Sequence, residues 1–320
     1  VPARTEAAFA DAGIEPVHGR ASFLDVSTLR IGDDTVAARH VVIATGAEPR
    51  RLCISGEELL TTSEHFLELD CLPPSIVMVG GGYIAFEFAH VAARAGASVT
   101  IVHQGERPLE QFDPDLVDAL VQATVDLGID VRVNASVRGI EKDGDNLAVQ
   151  IVARDGNLTV IHARMAVHGA GRVPDVESLA VEAAGIAVTA NGIAVDEYLQ
   201  SIPQPTVFAA GDAADTGAPR LTPVAGVEGE IAAANLIKGR SRTVTLGPVP
   251  TIVFTTPALG TVGLTEQNAR DRNVRFRISQ GDSSDWYTSR RVAAKKSAFK
   301  VLIDEENERI LGASVLGPGA

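Results

Sequence analysis

Residues 75–102 decide the fold, and they read SIVMVGGGYIAFEFAHVAARAGASVTIV. The first five residues are mostly apolar, which predicts a buried strand, and the three glycines that follow predict a tight turn. From Tyr83 to Ala95, apolar side chains recur at helical spacing, and Gly96 ends this helix. A second apolar strand follows at Ser98–Val102. Strand, turn, helix and strand within roughly 30 residues form a βαβ unit of a parallel sheet.

The chain beyond this unit continues the alternation. Asp113-Pro114 predicts the N-cap and the first residue of a second helix, and Ile129–Val133 predicts a third strand. Turn sequences at 143–146 and 155–157 separate further short strands, which predicts an antiparallel meander inserted into the α/β unit. The run 166–169 predicts the strand that returns to the parallel sheet.

Two more apolar runs end in glycine-containing turns. Val41–Ala44 and Thr206–Ala210 predict strands buried on both faces, and a helix is expected from about Val224 to Lys238. Beyond residue 248, separate strand-like runs and one short helix predict an α+β region. We therefore expect an α/β protein with two Rossmann-like domains, an inserted antiparallel meander and part of an α+β domain.

Composition and charge limit the partners. Hydrophobic residues make up 45% and charged residues 22% of the 320, which is typical of a globular chain and excludes disorder. Lys and Arg number 28 against 41 Asp and Glu, and the formal charge of −13 argues against nucleic acid and anionic membranes. The longest apolar stretch, residues 76–93, is interrupted by glycines, Glu87 and His90, so no membrane span is predicted.

The two cysteines, Cys53 and Cys71, are too few for a disulfide framework or a four-ligand zinc site. They are expected to be small buried side chains in a reducing cytoplasm, and no metal site is predicted. The chain begins at Val1 without a methionine, which suggests a fragment of a longer protein.

The pattern Gly80-x-Gly82-x-x-Ala85 points to a dinucleotide. It follows a strand and opens a helix inside a βαβ unit, which is the context that this motif requires. The first glycine permits the turn, and the second lets a pyrophosphate approach the backbone. The small third residue lets helix and strand pack, and free N–H groups at the helix start bind phosphate. The alternative is a turn that serves only to pack the helix on the strand.

The end of the second strand bears on the choice between NAD and NADP. An NAD site needs an acidic residue there for the ribose 2′-hydroxyl, and this chain has His103 and Gln104 instead. His103 and Arg107 offer cationic donors for a 2′-phosphate, although Glu106 lies beside them. The sequence favours NADP over NAD.

Features of a second nucleotide site follow the other two apolar runs. Ala44-Thr45-Gly46 and Ala210-Gly211-Asp212 each lie where a parallel sheet binds ligands. Asp212 is a candidate acceptor for a sugar or ribityl hydroxyl, with a helix cap or turn residue as the alternative. The helix that begins near Thr222 directs its N-terminal dipole towards any flavin edge that gains negative charge.

These segments together resemble the class I pyridine nucleotide-disulfide oxidoreductases, the family of glutathione, mercuric and mycothione reductases and dihydrolipoamide dehydrogenase. The matching segments occur in family order and cover nearly the whole chain: VVIATG (41–46), GGGYIAFE (80–87), GRVP (171–174), FAAGD (208–212), LTPVA (221–225), and PTIVF (250–254) through GTVGLT (260–265). The resemblance implies two nucleotide-binding domains, a dimerisation domain and a homodimer.

The resemblance also implies residue roles. Asp212 would hold the ribityl chain of FAD, and Thr222 would approach the flavin ring. Tyr83 would cover the flavin until nicotinamide displaces it, and Glu87 would lie beside that nicotinamide. The FAD set is Gly19, Ala21, Ala44, Thr45, Gly46, Gly211, Asp212 and Thr222, with Gly19 and Ala21 contacting the adenine. The NAD(P) set is Gly80, Gly81, Gly82, Tyr83, Ile84, Ala85, Glu87, His103, Arg107, Gly171 and Ile252, whose carbonyl would meet the carboxamide.

The chain departs from the family in its redox residues. The family carries an FAD-binding GxGxxG with a Cys-x4-Cys pair and, later, a His-Pro segment whose histidine is the acid–base partner. None of these occurs here, and Cys53 and Cys71 do not match the redox positions, so no catalytic residue is assigned within this chain.

We therefore expect an FAD-dependent NAD(P)H oxidoreductase that passes hydride from NADPH to FAD and on to a small-molecule or small-protein disulfide-like acceptor. The alternatives are dihydrolipoamide-type dithiol oxidation with NAD and a nucleotide-binding fragment without turnover. The expected divisions are 1–68 (end of the first FAD-domain segment), 69–172 (NAD(P) domain), 173–247 (second FAD segment) and 248–320 (partial dimerisation domain).

Overall fold

The computed structural model describes residues 2–320, which form two compact units. One unit comprises the chain up to Glu48 together with Arg172–Leu246, and the other comprises Pro49–Gly171 together with Gly247–Ala320.

The helices are α1 (Pro2–Asp11), α2 (Ser63–Leu67), α3 (Tyr83–Arg94), α4 (Pro114–Asp126), α5 (Thr222–Lys238), α6 (Glu266–Asp271) and α7 (Tyr287–Arg291). Short 3-10 helices occur at Glu57–Leu59, Glu177–Leu179, Val181–Ala184 and Gly211–Ala213. The strands are β1 (Ala21–Asp25), β2 (Thr28–Ile31), β3 (Asp34–Ala37), β4 (Val41–Ile43), β5 (Ala47–Pro49), β6 (Ser75–Val79), β7 (Ser98–Val102), β8 (Asp130–Arg132), β9 (Ala135–Asp143), β10 (Asn146–Ala153), β11 (Leu158–Ala163), β12 (Met165–His168), β13 (Arg172–Pro174), β14 (Val188–Thr189), β15 (Gly192–Ala194), β16 (Val207–Ala209), β17 (Ala214–Asp215), β18 (Thr251–Val253), β19 (Ala258–Gly263), β20 (Phe276–Asp282), β21 (Ala298–Asp304) and β22 (Ile310–Gly317).

The βαβ unit forms as expected. Strands β6, β7 and β8 are parallel neighbours, and β12 returns beside β6 to complete the order β12-β6-β7-β8. Asp113 caps α4 by accepting from the backbone N–H groups of Asp115 and Leu116. Ile76, Met78 and Phe86 are fully buried in the core of this layer. Because all four strands run in one direction, the turn after β6 lies at their carboxyl edge.

The meander also forms, and the loop between Pro49 and β6 belongs to the same unit. Strands β9, β10 and β11 are antiparallel, with turns at Gly144 and Gly156. Ser55 pairs with Gly139, and Thr61 pairs with Val167 of β12. The compact unit therefore begins at Pro49, because these bridges hold the loop between Pro49 and β6 to strands β9 and β12.

The last part of the chain is a five-stranded antiparallel sheet of order β18-β19-β22-β21-β20, with α6 and α7. Lys300 of β21 is 3% exposed and its Nζ lies 3.0 Å from Asp113, 2.9 Å from Asp115 and 2.7 Å from Glu266. This cluster ties the sheet to the start of α4, and residues 247–320 belong to the same compact unit as residues 49–171.

The other unit contains smaller sheets around β4 and β16, which run parallel to each other. Ile43, Val207 and Ala209 are buried, as expected. The expectation that Val41–Ala44 is covered on both faces is wrong in part, because Val42 points away from this core and is 44% exposed. Strands β1, β2 and β3 form a separate antiparallel sheet.

The two cysteines also differ from expectation. Both Cys53 and Cys71 are exposed free thiols, because each lies in a loop and not in a strand or helix of the core. Within residues 2–320 no helix is both long and apolar enough to cross a membrane.

Candidate functional site

The glycine turn after β6 is built by close approach of backbone to backbone. Gly80 has a φ of +117°, and a Cβ there would collide with the carbonyl of Gly169. A Cβ on Gly81 would lie 2.6 Å from Cγ of His103, whereas one on Gly82 would have 3.6 Å to its nearest neighbour. Ala85 is fully buried, and Gly169 approaches it so closely that a Cβ there would lie 2.9 Å away. Gly80, Gly81 and Ala85 therefore serve packing, while Gly82 keeps its approach open.

A cleft of about 790 Å³ opens at this turn. It is lined by the three glycines together with His103 and Gly171, so the structure brings five of the predicted residues to one place, with Gln104 beside them. Gly82 is the N-cap of the 12-residue helix α3, whose first N–H groups have no side-chain cap. A concave cleft at the N-terminus of a helix fits a dinucleotide pyrophosphate.

The cleft contains two cations that sequence reasoning missed. Arg50 and Arg51 line the cleft with the glycine turn. The backbone of Arg50 is fixed because its N–H donates to Gly171 at 3.0 Å and its carbonyl accepts from His168 Nε2 at 2.8 Å. The two adjacent arginines are visible in the sequence, but the sequence alone does not show that the loop carrying them lies beside the glycine turn after β6.

His103 and Arg107 have partners within the protein. The His103 ring packs over Gly81, and its Nε2 donates to the carbonyl of Arg107 at 3.0 Å. Glu110 lies 3.8 Å from the same nitrogen. The Arg107 guanidinium donates to Asp118 of α4 at 2.8 Å, and this hydrogen bond raises the pKa of Arg107. Both side chains are therefore already hydrogen-bonded.

Tyr83 and Glu87 lie on the first two turns of α3. Oε1 of Glu87 accepts from the backbone N–H of Phe254 at 2.9 Å, and burial raises the pKa of Glu87. Burial, with a smaller contribution from Glu87, raises the pKa of Tyr83 to about 12. Ile252 precedes Phe254 by two residues and pairs with Gly260 across β18 and β19. The structure thus brings Glu87 to the strand that carries Ile252.

His90, one turn further along α3, holds the same segment. Nδ1 of His90 accepts from the backbone N–H of Thr256 at 3.1 Å, and Nε2 lies 2.9 Å from Thr124 Oγ1, which donates to Leu120. This arrangement requires the neutral ring with its proton on Nε2. Burial lowers the pKa of His90 to about 4. No sequence motif distinguished this histidine from a packing residue.

A second candidate site lies in the other unit, at the carboxyl ends of β4 and β16. The N–H of Ala210 donates to Ile43, which places Ala44, Thr45 and Gly46 beside Gly211 and Asp212. Thr45 Oγ1 donates to the carbonyl of Asp175 at 2.6 Å, and Thr222 begins the 17-residue helix α5. Two strand ends beside a long helix fit a nucleotide of the flavin type.

Glu228 organises this turn and was not foreseen. It is 1% exposed, and its two carboxylate oxygens accept from Gly211 N–H at 2.8 Å and Thr216 Oγ1 at 2.7 Å. Ala21 begins β1 of the separate sheet β1–β3, and Gly19 lies two residues before it, where a Cβ would be 2.9 Å from Ile31. Within residues 2–320 no group of His, Cys, Asp and Glu is arranged to hold a metal.

Comparison with known proteins identifies the family. Residues 4–229 match the model of pyridine nucleotide-disulphide oxidoreductases, and residues 249–320 match the dimerisation domain of the same proteins. The chain belongs to the pyridine nucleotide-disulphide oxidoreductase family. The resemblance read from the sequence motifs is thereby confirmed, as is the mixed α/β fold with a dimerisation domain.

Relatives within this pyridine nucleotide-disulphide oxidoreductase family cover nearly all of the chain. It is 32% identical to a mercuric reductase of Bacillus cereus over 97% of its length and 49% of that protein. It is also 32% identical to a glutathione reductase of Burkholderia cepacia, over 97% of its length and 68% of that protein. The chain thus spans about half to two thirds of the length of these relatives.

A solved structure gives the same result. The HOCl-induced flavoprotein disulfide reductase RclA from Escherichia coli superimposes with a TM-score of 0.87 at 27% identity, covering 99% of this chain and 73% of that one. Proteins of this family combine FAD with NADH or NADPH.

Proposed function

We propose that this chain belongs to an FAD-dependent NAD(P)H oxidoreductase of the disulfide reductase type. In such an enzyme FAD would accept hydride from NADPH and would hand the two electrons to a small-molecule or small-protein disulfide-like acceptor. The observation that carries the proposal is the cleft at the glycine turn, which joins an open Gly82 to the N-terminus of α3 and to Arg50 and Arg51.

In this proposal the pyrophosphate of the pyridine nucleotide lies over Gly82, and the adenosine half extends towards His103 and Gln104. Helix N–H groups and the two arginines supply positive potential for the phosphates. At the nicotinamide end, the Glu87 carboxylate and the carbonyl of Ile252 are the polar groups, and Tyr83 supplies an uncharged aromatic ring.

On the flavin side, Asp212 would accept from the ribityl chain, and the backbone at Thr45–Gly46 and Gly211 would line the nucleotide. FAD, when bound, supplies a two-electron carrier between nicotinamide and acceptor. The start of α5 at Thr222 directs the positive end of a long helix dipole towards negative charge on the reduced ring. Gly19 and Ala21 are assigned to the adenine end.

The match of residues 249–320 to a dimerisation domain supports a homodimer. We assign the protein to the cytoplasm, with neither nucleic acid nor membrane as a partner. Dihydrolipoamide-type oxidation with NAD is the second candidate. The hydrogen bonds of His103 and Arg107 to protein groups support it, because these bonds compete with a 2′-phosphate for the two side chains.

Titration of the chain with NADPH, NADH and FAD, followed by fluorescence, tests the proposal. We expect saturable binding of a pyridine nucleotide and of FAD at separate sites. Asp212→Asn is expected to weaken FAD binding about tenfold, as loss of a charge-assisted hydrogen bond does, without changing NADPH binding. The exposed Asp285→Asn serves as control. Absence of saturable binding for both NADPH and NADH contradicts the proposal.

A further inference from the structure

A second pocket of about 450 Å³ lies next to the nucleotide cleft. Gln104 and Ser136 line both spaces, so the pocket begins where the adenosine end of the cleft stops. Arg138 and Arg154 of the meander line it, together with Asn134, which precedes both in the chain. This places two guanidinium groups beside the loop that follows β7.

Backbone hydrogen bonds fix this wall to the strand end. The N–H of Asn134 donates to Gly105 at 2.8 Å, and the carbonyl of Asn134 accepts from the N–H of Arg154 at 2.8 Å. Asn134 has a φ of +52°, a left-handed conformation that asparagine tolerates better than most residues. Arg154 is thus joined to the loop after β7 through one intervening residue.

Arg138 occupies a break in the ladder between β9 and β10. Gly139 pairs with Gln150 and Val137 pairs with Ile151, so Arg138 is the extra residue of a β-bulge. Bulges re-aim side chains and are frequent beside functional sites. Arg138 and Arg154 are both exposed, and within residues 2–320 neither guanidinium forms an ion pair, although the chain carries 13 more acidic than basic residues.

Resting on the proposed function, we propose that Arg138 and Arg154 bind the 2′-phosphate of NADPH. His103 and Arg107 are hydrogen-bonded to protein groups, whereas the two meander arginines are free, close to the adenosine end and able to donate several N–H groups each. Glu106 also lines the pocket and opposes the phosphate charge, so it limits the affinity.

Calorimetric titration with 2′,5′-ADP and with 5′-AMP tests the assignment, because the two probes differ only in the 2′-phosphate. The wild-type chain is expected to bind 2′,5′-ADP at least tenfold more tightly. Arg138→Gln and Arg154→Gln each remove about tenfold of this preference and leave 5′-AMP binding unchanged. Glu106→Gln strengthens 2′,5′-ADP binding several-fold.

Arg164→Gln is the matched control, because Arg164 is a meander-side arginine paired with Asp145 at 3.2 Å, and it is expected to behave as wild type. Equal affinity for both probes in the wild type, with NADH still bound, overturns this inference alone. If Arg107→Gln loses the preference for 2′,5′-ADP and the Arg138 and Arg154 variants keep it, the inference is overturned and Arg107 binds the 2′-phosphate. If none of the four compounds 2′,5′-ADP, 5′-AMP, NADH and NADPH binds, the proposed function fails as well.

Discussion

Oε1 of Glu87 lies 2.9 Å from the backbone nitrogen of Phe254, across 167 positions of sequence. A carboxylate on α3 thereby holds the strand that carries Ile252. The same carboxylate is partly buried, and burial raises its pKa. Glu87 is therefore a polar group kept in an environment that disfavours its charge.

Replacement of Glu87 separates the effect of its hydrogen bond to Phe254 from the effect of its partly buried charge. Glu87→Gln keeps an oxygen acceptor for Phe254 and removes the charge. A raised folded-state pKa means that the glutamate costs stability as pH rises above the ordinary value of 4.5. Urea unfolding is expected to show Glu87→Gln at least as stable as wild type at pH 7, and Glu87→Ala less stable by about 1 kcal/mol. If the wild type gains stability over Glu87→Gln between pH 4 and 7, the burial argument is wrong.

The glycine turn predicts a division between folding and binding. Gly80→Ala forces a Cβ against the Gly169 carbonyl at a φ of +117°, so we expect a loss of about 2 kcal/mol or more in unfolding free energy. Gly82→Ala meets its nearest atom at 3.6 Å and is expected to fold normally. It should nevertheless bind NADPH at least tenfold more weakly, since the Cβ occupies the approach of the pyrophosphate. Normal NADPH binding by Gly82→Ala would place the phosphates elsewhere.

Glu228 is expected to control the turn at Asp212. Glu228→Gln replaces one of the two accepting oxygens by an amide donor. The amide can donate to Thr216 Oγ1, but the hydroxyl proton of Thr216 then loses its acceptor at a part-buried place. The expected cost is about 1 to 3 kcal/mol, together with weaker FAD binding. Glu230→Gln, on the exposed side of α5, is the control and should match the wild type. Equal thermal shifts for the two variants contradict this role.

His90 predicts a specific pH dependence. Its pKa falls from 6.5 to about 4 on folding, so its neutral contacts contribute fully above pH 6.5 and are lost as pH falls towards 4. His90→Gln cannot titrate and retains an acceptor for Thr256. Between pH 7 and pH 5 the wild type should lose about 2 kcal/mol more stability than this variant. The exposed His162→Gln is the control, and the same slope in His90→Gln as in wild type refutes the assignment.

The buried cluster around Lys300 predicts a large loss of stability. Burial alone lowers the pKa of Lys300, but the hydrogen bonds that its ammonium donates to Asp115, Glu266 and Asp113 raise it above its ordinary value. Lys300→Met leaves Asp113, itself 2% exposed, without its cation, which costs about 3 to 5 kcal/mol. Lys296→Met, whose partner Asp282 is exposed, should cost less than about 1 kcal/mol. Chemical denaturation should therefore show a loss of unfolding free energy for Lys300→Met that is several times the loss for Lys296→Met.

The sequence predicts the elements that depend on local pattern. The βαβ unit at 75–102 and the cap at Asp113 follow from periodicity, glycine and proline, and they are confirmed. The exposure of the Val42 side chain was not predicted, because an apolar run does not show whether other elements pack on both faces of its strand. The unit boundary at Pro49 likewise depends on bridges from Ser55 and Thr61 to distant strands.

The candidate sites divide in the same way. The glycine turn could be assigned from spacing, because its geometry is local. Three other features depend on tertiary packing, and no local pattern encodes them. They are the ion pair of Arg107 with Asp118, the β-bulge at Arg138 and the hydrogen bond that Glu87 accepts from Phe254. His90 and Glu228 were missed because a single polar residue on a helix looks the same whether it is buried or solvated.

The cluster around Lys300 has a consequence for protein engineering. The two matched family regions are separated by residues 230–248, yet the lysine on one side of that junction forms ion pairs with Asp113 and Asp115 on the other. A chimera that exchanges residues 249–320 with a relative must therefore carry over a cation at position 300, or redesign the start of α4 with it. The smallest exchangeable part of this chain is larger than the family models suggest.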